Sequence, residues 1–200
     1  MNAQTPSGEH AGETLAFRAT LRREKLAARL ALGTSALAAA AASVEEHLAG
    51  LLAPLPPGVL AFCSPVRNEF DARPLVARLL DAGWAAAMPV VVAEGAAMHF
   101  RTWTPASAMT VDRHGIPIPL GSGDAVPTVV LLPLVAFDPN GFRLGYGGGY
   151  FDRTLASLAP RPLAIGVGFE VARCADVRPQ AHDIRLDATV TEAGAFRHPA

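Results

Sequence analysis

Apolar residues recur along the chain with two different periods, and the changes of period divide it into helices and strands. Helical spacing predicts helices over residues 15–32, 34–52, 73–82 and 150–158. Short apolar runs bounded by glycine, proline or polar residues predict strands over residues 59–63, 84–92, 98–103, 129–135, 163–169 and 186–191. Gly33 is expected to end the first helix, with Thr34 or Ser35 capping the second. Residues 112–126 are rich in Gly and Pro and are predicted to be a loop.

Strands that alternate with helices, several of them apolar throughout, indicate a mostly parallel sheet covered on both faces. We therefore predict a single α/β domain over residues 15–200, with three layers (α/β/α) and an N-terminal helical hairpin. The polar residues 1–14 are predicted to be a disordered tail and not a signal peptide. Ligands in such folds bind at the carboxyl ends of the strands. We expect residues 64–69, residues 136–152 and the loop before Asp187 to share that rim.

Composition narrows the classes of partner. The chain is 50% hydrophobic and 18% charged, with a formal net charge of −1, so it has no bulk attraction to nucleic acid or to an anionic membrane. No apolar run approaches the length of a membrane span. Cys63 and Cys174 lie far apart without metal-ligand spacing, which is typical of a reducing compartment. We expect a cytoplasmic monomer whose partner is a small molecule, with no nucleic acid and no membrane.

The segment 137–152, reading FDPNGFRLGYGGGYFD, carries the densest candidate chemistry. It contains five glycines and directly follows the apolar run 129–135. Glycine lets main-chain N–H groups converge on an anion. Arg143 can fork onto phosphate oxygens, and Asp152 can hold Mg²⁺. The segment matches neither the P-loop nor the dinucleotide-binding fingerprint. A structural turn with several positive-φ glycines is the alternative, but the clustering favours phosphate binding.

Other charged residues could complete such a site. Arg18, Arg22 and Arg29 fall near one face of the first helix, where they are either solvated or docked beside the glycine-rich segment. Glu69 follows a strand and precedes a helix, so it either compensates the helix N-terminus or accepts hydrogen bonds from a heterocycle. Asp187 could join Asp152 as a carboxylate for Mg²⁺. Lys25 is the only lysine, so phosphate binding must rely on arginine.

Several ordered motifs together resemble the 5-formyltetrahydrofolate cyclo-ligase (5,10-methenyltetrahydrofolate synthetase) family. The glycine-rich segment resembles the family signature, which reads roughly aFD..G.RLG.G.GYYD. The other motifs that resemble family elements are Arg18–Arg22, Asn68–Asp71, His114–Pro119 and His182–Asp187. The resemblance covers most of the chain.

The resemblance implies an ATP- and Mg²⁺-dependent cyclisation of 5-formyltetrahydrofolate, with or without extra glutamates, to 5,10-methenyltetrahydrofolate. ADP and phosphate would be released. It implies catalytic roles for Arg143 and Tyr150, and metal binding by Asp152 and Asp187. The residues implied to bind ATP are Arg18, Arg22, Arg143, Leu144, Gly145, Gly147, Gly148, Gly149 and Tyr150. The residues implied to bind the folate are Glu69, Tyr146, Gly147, Gly148, Gly149 and Tyr150.

The chain departs from the family pattern at a few positions. Arg18 stands where many members have lysine, Gly148 stands where some have a loop lysine, and Phe151 replaces the second tyrosine of GYYD. Two other classes of function stay open. One is an enzyme on a similar sheet, such as a sugar-phosphate isomerase or a CoA transferase, which would need neither ATP nor Mg²⁺. The other is a non-enzymatic folate- or nucleotide-binding regulator.

Overall fold

The computed structural model describes residues 8–121 and 123–199. Its helices are α1 (Gly8–Leu30), α2 (Thr34–Leu52), α3 (Arg73–Asp81) and α4 (Tyr150–Ser157), with a 3-10 turn at Glu170–Ala172. Its strands are β1 (Val59–Ala61), β2 (Ala85–Val90), β3 (His99–Thr102), β4 (Met109–Val111), β5 (Pro117–Pro119), β6 (Val129–Pro133), β7 (Ala136–Phe137), β8 (Arg143–Leu144), β9 (Leu163–Val167), β10 (Ala188–Thr191) and β11 (Gly194–Arg197).

The central sheet is mostly parallel, as predicted. Its strand order is β11-β10-β9-β6-β1-β2-β3, and the strands from β10 to β2 in this order run parallel. The edge strands β11 and β3 pair antiparallel with their neighbours. Strand β6, with the sequence VVLLP, lies at the middle of the sheet and is buried along almost its whole length. An unbroken apolar run suits such a strand because both of its faces are covered.

Helices cover both faces of the sheet, which confirms the predicted layers. On one face, α2 and α3 bury an apolar stripe that includes Val44, Leu48 and Leu75. On the other face, α4 contributes Leu155 to a second cluster with Leu132 of β6. Helical spacing places such residues on one side of their helices, so burying that side holds each helix against the sheet.

The helix α1 packs beside the glycine-rich segment. Its Leu21 belongs to a third buried cluster with Ala136 and Leu144, which lie in β7 and β8. The predicted pair of N-terminal helices is confirmed, and the chain direction changes by 105° between them. Among the described residues, no single helix is both long and apolar enough to span a membrane.

The structure corrects some of the predicted boundaries. Of the predicted tail, residues 8–14 belong to α1 in this structure, and residues 1–7 lie outside the described residues. The cap of α2 is Gly33, without a side-chain hydrogen bond, so neither Thr34 nor Ser35 caps that helix. The predicted loop 112–126 contains β5, which pairs antiparallel with β4. The strand β11 was not predicted.

Two of the predicted segments lie at the carboxyl ends of the strands, and the chain before Asp187 runs from that end of β9 to the amino end of β10. Residues 64–69 follow β1, and the glycine-rich segment follows β6, so both lie at that rim. Asp187 instead immediately precedes β10, which is parallel to β9. Its N–H donates to the carbonyl of Ala164, the second residue of β9, over 2.8 Å. Asp187 therefore lies at the amino ends of these strands, while the loop before it contacts the site residues through Asp183 and Ile184.

Candidate active site

A short hairpin opens the glycine-rich segment. Strands β7 and β8 pair antiparallel, and Oδ1 of Asp138 accepts hydrogen bonds from the N–H groups of Asn140 (2.9 Å) and Phe142 (3.1 Å). A carboxylate that accepts such local N–H groups stabilises a tight turn. The hairpin holds Arg143 and Leu144 in buried positions immediately before the glycines.

The glycines themselves form the connection from β8 to α4. Gly147 has φ 102°, and Gly149, the N-cap of α4, has φ 64°. Residues other than glycine rarely adopt such positive φ values. A helix N-terminus presents free N–H groups and the positive end of the helix dipole. The loop therefore combines close backbone access with an environment that favours an anion.

Arg22 of α1 lies directly against this loop. Its Nε donates a hydrogen bond to the carbonyl of Gly145 over 2.9 Å, and a Cβ added at Gly147 would lie 3.7 Å from its guanidinium carbon. Burial, and then the neighbouring charge of Arg18, lowers the pKa of Arg22. Of the two alternatives for the arginines of the first helix, the structure favours docking beside the loop for Arg22, which can reach an anion held there.

Arg18, one turn earlier, has a carboxylate partner. Its Nη1 and Nη2 donate to Oδ2 and Oδ1 of Asp183 over 2.8 and 3.1 Å, and both side chains are 6% exposed. Burial acts to raise the pKa of Asp183, but the hydrogen bonds from Arg18 and from the N–H of Gln180 bring it below its usual range. The pair fastens α1 to the segment before β10, so the charge of Arg18 is largely neutralised in this structure.

Arg143 and Asp152 form a second buried pair at the far side of the loop. Nη1 of Arg143 donates to Oδ1 of Asp152 and to the carbonyl of Ile184, each over 3.1 Å. The same carboxylate oxygen accepts the N–H of Ile184 over 3.0 Å. Burial lowers the pKa of Arg143, and the charge of Asp152 acts in the opposite direction. The pair therefore connects the start of the loop, the first turn of α4 and the segment before β10.

A third group of side chains joins the loop to the segment after β1. The hydroxyl of Tyr146 donates to Oε1 of Glu69 over 2.7 Å and accepts a hydrogen bond from Nη2 of Arg29 over 2.8 Å. Oε2 of Glu69 accepts the N–H of Val66 over 3.0 Å. Burial raises the pKa of Glu69, and burial together with the charge of Glu69 raises the pKa of Tyr146 to about 12.

Arg29 was noted on the helix face but not assigned to the site. It is 3% exposed, and besides Tyr146 it donates to the carbonyls of Arg67 (3.0 Å) and Leu134 (2.9 Å). Arg67 and the next residue, Asn68, have φ of 50° and 59°, so the turn before Glu69 is strained. Arg29 holds this turn through the Arg67 carbonyl. The seven-residue step from Arg22 on α1 was the signal that could have included it.

Tyr150 begins α4 and faces another segment that the sequence singled out. Its ring centroid lies 6.0 Å from that of His114, in an edge-on arrangement. The hydroxyl of Ser64, at the rim, donates to the carbonyl of Pro117 over 2.8 Å. The stretch 114–119 therefore lies between the end of β1 and the start of α4, at the edge of the same crevice.

The model of the 5-formyltetrahydrofolate cyclo-ligase family matches residues 15–192. This chain belongs to that family. A 5-formyltetrahydrofolate cyclo-ligase of Escherichia coli (strain K12) is 33% identical over 147 residues, covering 68% of this chain and 81% of the relative. The predicted family is confirmed.

Solved structures agree with the fold. A 5,10-methenyltetrahydrofolate synthetase from Mycoplasma pneumoniae superposes with a TM-score of 0.71 at 24% identity, covering 88% of this chain and 98% of the other. The synthetase from Aquifex aeolicus superposes with a TM-score of 0.73 at 26% identity, covering 92% and 94%. The predicted α/β domain is confirmed.

The family resemblance implied a metal site made by Asp152 and Asp187, and in this structure each of these carboxylates pairs with an arginine. Oδ1 of Asp187 pairs with Nη1 of Arg161 over 2.8 Å, and its Oδ2 accepts the N–H of Ala164 over 2.7 Å. Among residues 8–121 and 123–199, there is no group of three or more His, Cys, Asp or Glu placed to hold a metal ion. Of these two carboxylates, Asp152 lies beside the loop, where it pairs with Arg143.

His182, which the sequence placed among the family elements, is at the surface. Its side chain is 70% exposed, and its Nε2 lies 3.8 Å from Oδ1 of Asp183. The next residue is the one that Arg18 engages. In this stretch the structure therefore singles out Asp183, which sequence reasoning did not assign to the site.

Proposed function

We propose that this chain catalyses the ATP- and Mg²⁺-dependent cyclisation of 5-formyltetrahydrofolate to 5,10-methenyltetrahydrofolate, with release of ADP and phosphate. The formyl oxygen attacks the γ-phosphate and forms an iminium phosphate. N10 then attacks the formyl carbon, the imidazoline ring closes, and phosphate leaves with the former formyl oxygen. Family membership supports the reaction class.

The observation that carries the proposal is the 2.7 Å hydrogen bond between Tyr146 and Glu69. It joins the anion-binding loop to a buried carboxylate that can accept hydrogen bonds from a heterocycle. A reaction between a γ-phosphate and a formyl group on the same heterocycle requires these two binding elements to be adjacent. Phosphoryl transfer depends mainly on such positioning and on charge neutralisation.

The phosphate end of the site uses main-chain and arginine donors. The N–H groups at the start of α4 and the guanidinium of Arg22 lie where they can contact phosphate oxygens. Arg143 and Arg18 carry carboxylate partners in this structure, and we assign them the role of fixing the loop and α1 around the bound nucleotide. Tyr150 lies at the edge of the crevice, where its ring shields the reacting groups from water.

The residues present fit one Mg²⁺ ion held mainly by the nucleotide. Oδ1 of Asp152 is used by Arg143 and Ile184, while its Oδ2 accepts no hydrogen bond from the described residues, and the side chain is 17% exposed. Mg²⁺ in nucleotide sites takes one or two carboxylates together with phosphate oxygens and water. Asp152 would hold the ion, which supplies charge neutralisation on the phosphates.

The folate end of the site uses Glu69. Its carboxylate is oriented by Tyr146 and by the N–H of Val66, which leaves further lone pairs for N–H donors of a pterin. Because the N–H donors of a pterin need an acceptor and the ionised carboxylate only accepts, we expect binding to require the ionised form. Folate affinity would then fall at low pH, with a midpoint above the usual pKa range of a glutamate, since burial raises the pKa of Glu69.

The test is the formation of methenyltetrahydrofolate, followed by absorbance, from 5-formyltetrahydrofolate with and without Mg-ATP. The proposal predicts product only when both ATP and Mg²⁺ are present, with one ADP formed per product. Glu69→Gln should raise the KM for the folate more than the KM for ATP. Arg78→Met, at a solvent-exposed arginine that pairs with Glu45, is the matched surface control and should leave both unchanged. No product under saturating conditions would reject the proposal.

A further inference from the structure

Arg153 lies in the first turn of α4, and its side chain runs back over the glycine-rich loop. Helical side chains point toward the N-terminus of their helix, which explains this direction. Its Nη2 donates a hydrogen bond to the carbonyl of Gly148. Its guanidinium carbon lies 5.1 Å from the centroid of the Tyr150 ring, in a cation–π contact. The charge is therefore held across the start of α4.

The remaining donors of Arg153 have no hydrogen-bond partner in the part of the chain that the structure describes. Its Nε is buried without a hydrogen-bond partner, and its Nη1 has none among the described residues. Within the same part of the chain, no carboxylate lies within ion-pair distance of it, in contrast to Arg18 and Arg143. Nε is shielded from solvent, whereas Nη1 is not among the buried atoms, so Nη1 is the donor that a bound anion can reach.

We propose that Arg153 binds the phosphate chain of ATP and supplies the positive charge that this chain lacks at Gly148. The inference rests on the proposed function, and it assigns that charge to a residue for which the sequence pattern implied no role. A guanidinium with free donors beside helix N–H groups can bind phosphate oxygens through charge-assisted hydrogen bonds.

The packing around Gly148 explains why a charge at Arg153 and a lysine at position 148 are alternatives. A Cβ added at Gly148 would lie 2.8 Å from Cδ2 and Cε2 of the Tyr150 ring. A lysine there would displace the ring on which Arg153 rests. A Cβ added at Gly149 would lie 2.7 Å from Nη1 of Arg153, so glycine at that position also keeps the guanidinium in place.

The test compares Arg153→Met and Arg153→Lys with the wild type and with Arg78→Met. The affinity for ATP is measured by calorimetry in the presence of Mg²⁺, and the KM values for ATP and for the folate are measured separately. Arg153→Met should weaken ATP binding about 10-fold or more, as expected for loss of a hydrogen bond to a charged group. The ATP affinity of Arg153→Lys should lie between those of the wild type and Arg153→Met. The KM for the folate should stay unchanged in both variants.

The outcomes separate this inference from the proposed function. ATP affinity of Arg153→Met within twofold of the wild type would overturn the inference. An equal loss of ATP and folate affinity would also overturn it, because it would indicate a merely structural role in α4. ATP binding that depends on Arg153 without any cyclisation would reject the proposed function alone. A wild-type chain that binds no ATP would contradict both.

Discussion

Removing the hydroxyl of Tyr146 is the sharpest perturbation of the link between the two halves of the site. In Tyr146→Phe, Glu69 loses the hydrogen bond it accepts over 2.7 Å, and Arg29 loses the acceptor it contacts over 2.8 Å. The two charged side chains are only 6% and 4% exposed, and their charged atoms lie 3.7 Å apart. Water cannot easily replace the lost hydroxyl, so the carboxylate should lose its orientation.

The size of the effect follows from these contacts. A hydrogen bond to a charged group contributes about 1.5–3 kcal/mol, which corresponds to about a 10- to 100-fold loss in kcat/KM for the folate. The KM for ATP should change much less. The hydrogen bond from Tyr146 lowers the pKa of Glu69, so its removal should raise that pKa further. The acidic limb of the folate kcat/KM profile should therefore move to higher pH.

A double-mutant cycle tests whether Arg29 acts through the same link. Arg29→Met alone should also lower kcat/KM for the folate. In the Tyr146→Phe background its effect should be smaller by the part that acts through the hydroxyl, while the part that acts through the carbonyls of Arg67 and Leu134 remains. The Tyr146 side chain is 44% exposed, so its substitution should leave the fold intact at the assay temperature, and circular dichroism can check the helical content. Additive effects, or equal losses for ATP and folate, would refute the reasoning.

Three further substitutions test the charged groups of the site. Asp152→Asn should abolish turnover and weaken binding of Mn²⁺ to the enzyme–ATP complex, measured by electron paramagnetic resonance. Asp183→Asn leaves the buried Arg18 without its partner and should lower the free energy of unfolding by about 3–5 kcal/mol in urea at neutral pH. Because the pKa of Asp183 is lowered, the stability it contributes is present above the ordinary Asp pKa and is lost as pH falls through the lowered value. Glu69→Gln should remove the acidic limb of folate binding and should preserve or raise stability at neutral pH, since a raised pKa means that ionisation of this carboxylate opposes folding.

Each of these predictions has a distinct contrary outcome. Unchanged Mn²⁺ binding in Asp152→Asn would remove that carboxylate from the metal site. If Asp183→Asn lost stability with falling pH in the same way as the wild type, the pair with Arg18 would not be the cause of that loss. An acidic limb that persists in Glu69→Gln would assign the limb to another group.

The central sheet could be predicted from the sequence because burial on both faces leaves a local signal. The run in β6 is apolar at almost every position, and only a covered strand tolerates that. The hairpin of β4 and β5 was missed for the opposite reason. Pro117 and Pro119 lie within β5, and proline normally argues against a strand. They are tolerated because β5 pairs with β4 alone, in a sheet separate from the central one.

The contacts within the site could not be predicted from spacing. The link between Glu69 and Tyr146 joins residues 77 positions apart, and the pair of Arg18 with Asp183 joins residues 165 positions apart. Motifs indicated which residues carry chemistry but not which of them neutralise one another. Asp187 illustrates the difference, because a carboxylate that precedes a parallel strand lies at the opposite end of the sheet from loops that follow their strands.

The most direct test of the account is the fate of the formyl oxygen. Cyclisation of 5-formyltetrahydrofolate labelled with ¹⁸O in the formyl group would be run with Mg-ATP, and the released phosphate would be analysed by mass spectrometry. Attack of the formyl oxygen on the γ-phosphate predicts one labelled oxygen in each phosphate, released together with ADP and 5,10-methenyltetrahydrofolate. Product formed with unlabelled phosphate, or no product at all, would contradict the proposed reaction.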